Sequence, residues 1–77
     1  MSPSKRFAEV YTLKIGQNIR KWRELKGIKQ EQLAHHIGIT KGALSNIENN
    51  KADVSLHWIE EIAKHLEMEI MMLLKIL

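Results

Sequence analysis

The stretch that most constrains the fold is Gln30 to Lys51, QEQLAHHIGITKGALSNIENNK. It carries a small residue at Ala34 and a glycine four positions later at Gly38. Leu33, Ile37, Ile39, Leu44 and Ile47 are spaced to form one buried set around them. Two short helices that cross closely need a small side chain at the crossing. The turn between them needs a residue at ease with positive φ. Ala34 and Gly38 meet these two needs, and seven positions across fifteen residues agree with one another. The pattern is that of a helix-turn-helix unit, with a plain αα-hairpin as the simpler alternative.

The surrounding chain reads as further helix. Ile15, Ile19 and Trp22 share a stripe on a helix from Leu13 to Lys26, which Gly27 stops and Ile28 plugs. Helix two runs from about Gln30 to Ile37. Thr40 caps a third helix with Lys41 to Asn49 as its body, and Asn49-Asn50 ends it. Ser55 caps a fourth, on which Leu56, Ile59, Ile62, Ala63 and Leu66 are spaced to face the core. A short fifth helix is expected over about Glu69 to Ile76. Ile70, Leu73, Leu74 and Leu77 face inward on it, and Met71, Met72 and Ile76 are left over. Residues 1–12 form an N-terminal extension, read as a frayed helical start or as a flexible basic arm with Lys5 and Arg6. Residues 13–77 form one all-α, five-helix domain, with no strand, repeat or linker.

Charge is distributed unevenly. Residues 14–29 carry Lys14, Arg20, Lys21, Arg23, Lys26 and Lys29 against Glu24, a balance of +5. Residues 52–77 carry Lys64 and Lys75 against Asp53, Glu60, Glu61, Glu67 and Glu69, a balance of −3. A basic end suits a polyanion, nucleic acid before membrane, although a charge run is also an ordinary solvated face. With 77 residues and no cysteine, the core is modest and there is no disulfide, thiolate or cysteine-ligated metal. Dimerisation is then a natural source of further stability. Met1 to Thr12 lacks a continuous apolar run and Ile70 to Leu77 is too short to span a bilayer, so a cytoplasmic location is expected.

The chain resembles the phage repressor and Cro (XRE-type) DNA-binding family from about Leu13 to Leu74. The similar stretches are Ile15-Gly16-Gln17-Asn18-Ile19-Arg20, Lys26-Gly27-Ile28-Lys29-Gln30, Gln32-Leu33-Ala34, Ile47-Glu48-Asn49 and Ile62-Ala63-Lys64-His65-Leu66. The resemblance implies a compact five-helix repressor-like domain whose third helix lies in the DNA major groove. It also implies a dimer on two-fold related half-sites of a pseudo-palindromic operator. Gln30 would then bond a DNA phosphate at a helix N-terminus, where free amides face anions. Lys29, Thr40, Asn49 and Lys51 join it as phosphate contacts. Lys41, Gly42, Ser45 and Asn46 occupy the base-reading edge, because lysine donates to guanine and asparagine pairs with adenine. Gly42 lets the helix approach DNA closely or else reads nothing there. Arg23 and Glu48 match a pair that bridges helices one and three in relatives.

Three positions depart from the family pattern. Lys29 stands where relatives place a capping serine or threonine, Val54 replaces a frequent proline, and Glu67 a frequent glycine.

No enzyme is expected, since there is neither a glycine-rich phosphate loop nor a cysteine, and no cofactor is expected. His57, Glu61 and His65 align on helix four as a weak metal face, and His35-His36 read as surface. A protein-interaction adaptor, antitoxin-like and of the same fold, is the rival function. The spare apolar face at Met71, Met72 and Ile76, with Trp58, suits a homodimer interface or another protein partner. The basic face at Lys21, Lys29, Lys41 and Lys51 separates the two functions, because DNA binding weakens steeply with salt.

Overall fold

The computed structural model describes residues 15–74. The segment 1–12, Leu13 and Lys14, and the tail residues Lys75, Ile76 and Leu77, lie outside the described residues. Among the described residues the chain is helical throughout, with no strand. The described part of α1 covers residues 15–25. It is followed by α2 (Gln30–Ile37), α3 (Lys41–Glu48), α4 (Leu56–His65) and α5 (Ile70–Leu74). Helix three ends one residue before the expected Asn49. The described part of the fifth helix begins at Ile70, one residue after the expected Glu69, and the expected residues Lys75 and Ile76 lie outside the described residues.

None of the described helical stretches is long enough to persist alone in water, so tertiary burial decides the fold. The largest fully buried side chains are Ile19, Leu33, Leu44, Ile62, Leu66 and Leu73. They come from α1, α2, α3, α4, the residue that closes α4, and α5, so each helix contributes to one core. Full burial of such a side chain stabilises by about 1.5–3 kcal/mol. Ala34 is also buried, and α2 packs against both α3 and α4. Ile15, Trp22, Ile28, Ile37, Ile39 and Trp58 lie half-buried around the core. α5 is held from α1, where the buried Asn18 donates from Nδ2 to the Leu73 carbonyl at 3.0 Å.

Leu56 departs from the expected inward face: it is 64% exposed. It is the first residue of α4 and lies at the margin of the Ile59, Ile62, Ala63, Leu66 stripe. Spacing alone places it beside the core, but the first turn extends past the packed region.

The exits of α1 to α4 share one device. Gly27 (φ 71), Gly38 (φ 78), Asn50 (φ 61) and Glu67 (φ 55) each take the left-handed conformation. Each is followed by a residue whose amide reaches back five positions. Ile28 donates to the Arg23 carbonyl, Ile39 to Ala34, Lys51 to Asn46 and Met68 to Ala63. This is the Schellman closure, which satisfies carbonyls that a helix end leaves orphaned. Ile28, Ile39 and Met68 then pack against the core as plugs. Glu67 makes this turn with a Cβ, and so carries backbone strain that the frequent glycine avoids.

Candidate nucleic-acid interface

The tight entry to α3 starts with Thr40, whose Oγ1 accepts from the Ala43 amide at 3.0 Å. Helical periodicity then turns Leu44, Ile47 and Glu48 inward, and leaves Lys41, Gly42 and Asn46 exposed with Ser45 half-buried. Asn49 Nδ2 donates to Ser45 Oγ at 3.3 Å, which ties the end of this edge to its middle.

A three-residue network holds α3 against the other two helices of the site. Arg23 Nε donates to Glu48 Oε2 at 2.8 Å and Nη2 donates to Oε1 at 3.1 Å. Arg23 Nη1 donates to the Ile28 carbonyl at 2.9 Å. Gln30 Nε2 completes the set by donating to Glu48 Oε1 at 3.0 Å. The Glu48 side chain is only 1% exposed and that of Arg23 10%. A buried carboxylate survives there because two arginine nitrogens and an amide surround it. The Gln30–Glu48 contact is a tertiary one. Nothing in the residue types marks it, since it depends on how α2 lies across α3. One amide hydrogen of Gln30 is committed to Glu48, and the second remains for an external acceptor.

Lys29 stands at the N-cap of α2, and no side chain caps that helix. Its first-turn amides therefore remain for water or an anion. Together with α1 and α3 this end encloses a groove of about 520 Å³, lined by Arg20, Arg23, Lys29, Gln30, Glu31, Lys41, Ser45, Glu48 and Asn49. The groove brings Lys29, Gln30, Lys41, Ser45 and Asn49 together. Thr40, Gly42, Asn46 and Lys51 are exposed but do not line it. Arg20 is pinned by Glu24 at 3.0 Å; the hydrogen bond first, then the charge of Glu24, raises its guanidinium above the ordinary arginine value.

Gly16 lies in one of the family-like stretches, and its position explains how α1 reaches this site. A Cβ there would collide with the Ile47 carbonyl and the Asn50 side chain. The missing side chain lets α1 lie against the end of α3. At Gly42 a Cβ would meet only Thr40 Oγ1, at 4.0 Å, so the fold does not require glycine there.

Elsewhere, Met71 is 77% and Met72 41% exposed on α5. His36 stacks on His65 with ring centroids 5.1 Å apart, and His65 Nε2 lies 3.9 Å from Glu61. No group of three or more His, Cys, Asp or Glu among the described residues is arranged to hold a metal. No described helix is long and apolar enough to cross a membrane.

The sequence profile described as Helix-turn-helix matches residues 19–71, which takes in α2, α3 and α4 whole. The chain belongs to the XRE-type helix-turn-helix family. This helix-turn-helix chain is 34% identical over 61 residues to the HTH-type transcriptional regulator SinR of Bacillus subtilis, and the match covers 78% of the chain. It spans about half the length of the curated relatives it matches, 55% in that case. Among solved structures it is similar to the restriction-modification controller protein C.AhdI from Aeromonas hydrophila. The TM-score is 0.76 at 34% identity, over 80% of this chain and 90% of that one. The clp gene regulator ClgR from Corynebacterium glutamicum has a TM-score of 0.80, over 83% of each chain. At 23% identity, that second likeness speaks to the fold alone.

Proposed function

We propose that the chain is a sequence-specific, double-stranded DNA-binding transcriptional regulator that acts as a homodimer, most simply as a repressor blocking polymerase. One observation carries this reading. The exposed edge of α3 stands beside the uncapped, lysine-bearing N-terminus of α2, and the Gln30–Glu48 hydrogen bond, backed by the buried Arg23–Glu48 pair, ties the two together. Kinship with a protein named as an HTH-type transcriptional regulator and with one named as a restriction-modification controller protein supports it.

In this reading α3 enters the major groove. Lys41 and Asn46 read base edges, Ser45 contributes, and Gly42 permits close approach. Lys29, Gln30, Thr40, Asn49 and Lys51 bind phosphates, which position the domain without reading sequence. Glu48 is assigned to structure, since its charge would repel phosphate and its oxygens are already engaged. Met71, Met72 and Ile76 supply the dimer surface, and two-fold symmetry places half-sites about 34 Å apart. The protein works without enzyme chemistry or a cofactor, in the cytoplasm.

The exposed methionines of α5 also favour a second reading, an adaptor or antitoxin-like component that binds another protein. Substitution separates the two. Lys41→Ala and Asn46→Ala should each relax base preference at one operator position, by about 1–3 kcal/mol. Lys51→Ala should weaken binding equally on all duplexes. An Asn46→Ala variant that selects an unchanged motif takes α3 out of the groove.

A further inference from the structure

The groove between α1, α2 and α3 is not the end of the basic surface. A second hollow of about 590 Å³ lies where α1 passes the C-terminal end of α3. Gln17, Arg20, Lys21, Glu24, Asn49 and Asn50 contribute to its walls. It shares Arg20, Glu48 and Asn49 with the first groove, so the two join into one track. The hollow exists because Gly16 lets α1 approach Ile47 and Asn50, while Asn50 turns left-handed and takes the chain away.

We infer that this second hollow receives the DNA backbone beyond Asn49, with Lys21 as an additional phosphate contact and Gln17 as its neutral neighbour. The inference rests on the DNA-binding reading above and extends its footprint onto α1. Gln17 and Lys21 are four residues apart, on one exposed face of the helix. Both carboxylates in the walls are already neutralised. Glu24 lies 3.0 Å from Arg20 and 3.8 Å from Arg23, and Glu48 is paired with Arg23. Among the described residues Lys21 is in no ion pair, so its charge remains for an external anion. A polyanion seated at Lys29 and Asn49 has its next charges on the same strand. A single small anion would not need a track that continues past Asn49.

The experiment uses the full chain and two probes, a duplex selected by the wild type from random DNA and one unselected duplex. Binding is followed by fluorescence anisotropy between 50 mM and 200 mM NaCl. Each phosphate contact adds about 0.9 to the slope of log affinity against log salt. Lys21→Ala should remove about one such unit, so that its affinity falls about 3.5-fold less than that of the wild type across this range. The loss at low salt should be equal on both duplexes, and Lys21→Arg should restore it. Gln17→Ala should weaken binding with the slope unchanged, and Lys64→Ala on α4 should change neither quantity. If the wild type binds with a steep slope and Lys21→Ala keeps that slope, the extension onto α1 is wrong while the α3 interface stands. If the wild type binds neither duplex, the DNA-binding reading fails and takes the extension with it.

Discussion

The Arg23–Glu48 pair makes a demanding prediction, because removing one partner should cost more than removing both. In Arg23→Met the Glu48 carboxylate keeps only the Gln30 amide at 3.0 Å, in a site 1% exposed. An uncompensated buried charge of this kind costs about 3–5 kcal/mol. Glu48→Leu leaves the Arg23 guanidinium with the Ile28 carbonyl at 2.9 Å and the more distant Glu24 at 3.8 Å, and should cost a similar amount. The double variant buries no charge. It leaves the Ile28 carbonyl and the Gln30 amide without these partners, at about 1 kcal/mol each. It should therefore lie about 2 kcal/mol below the wild type and above both single variants. A chain of 77 residues has a total stability of roughly 4–12 kcal/mol, so each single change takes a large share. Urea titration followed by circular dichroism at 25 °C gives all four values. Additive losses, with the double variant the least stable, would falsify the claim that the pair is one coupled unit.

Other outcomes follow from positions with clear geometry. Gly16→Ala should destabilise by about 1–3 kcal/mol through forced separation of α1 from α3, and an unchanged urea midpoint would contradict the close approach at Ile47 and Asn50. Gly42→Ala should raise stability by about 0.5–1 kcal/mol, because its Cβ has open space, yet weaken DNA binding; a stabilised variant with undiminished binding removes Gly42 from the DNA surface. Glu67→Gly should stabilise by about 1 kcal/mol by relieving the left-handed strain at φ 55, readable as a raised melting temperature. Met72→Glu should reduce self-association in sedimentation, and unchanged association would sink the α5 interface.

The elements that were legible in the sequence are those set by local rules. Ala34, Gly38, Thr40 and the Leu33, Leu44, Ile47 set have residue types that suit few other arrangements, and the helices of the unit lie where their spacing puts them. The features that escaped depend on how distant helices meet. Gly16 is an ordinary glycine until α1 is laid against α3. Gln30 is an ordinary polar residue until α2 brings it to Glu48. Leu56 fits the apolar stripe of α4 but projects past the core, which periodicity cannot register. The second hollow, lined by Gln17 of α1 and by Asn50 beyond α3, is likewise a tertiary feature. Its traces in the sequence are the excess of positive charge along α1 and the place of Lys21 in the basic face. Glu67 was visible as an oddity through the family resemblance, and the structure gives it a physical meaning, a left-handed turn made without glycine.

Sequence-specific binding by a dimer is read most directly by selection of bound sites from random duplex DNA with the full wild-type chain. A homodimer that reads DNA through α3 enriches a pseudo-palindrome whose half-sites lie about 34 Å apart, one helical turn of DNA. Recovery of an unenriched pool, with weak binding that ignores both sequence and salt, would contradict that reading.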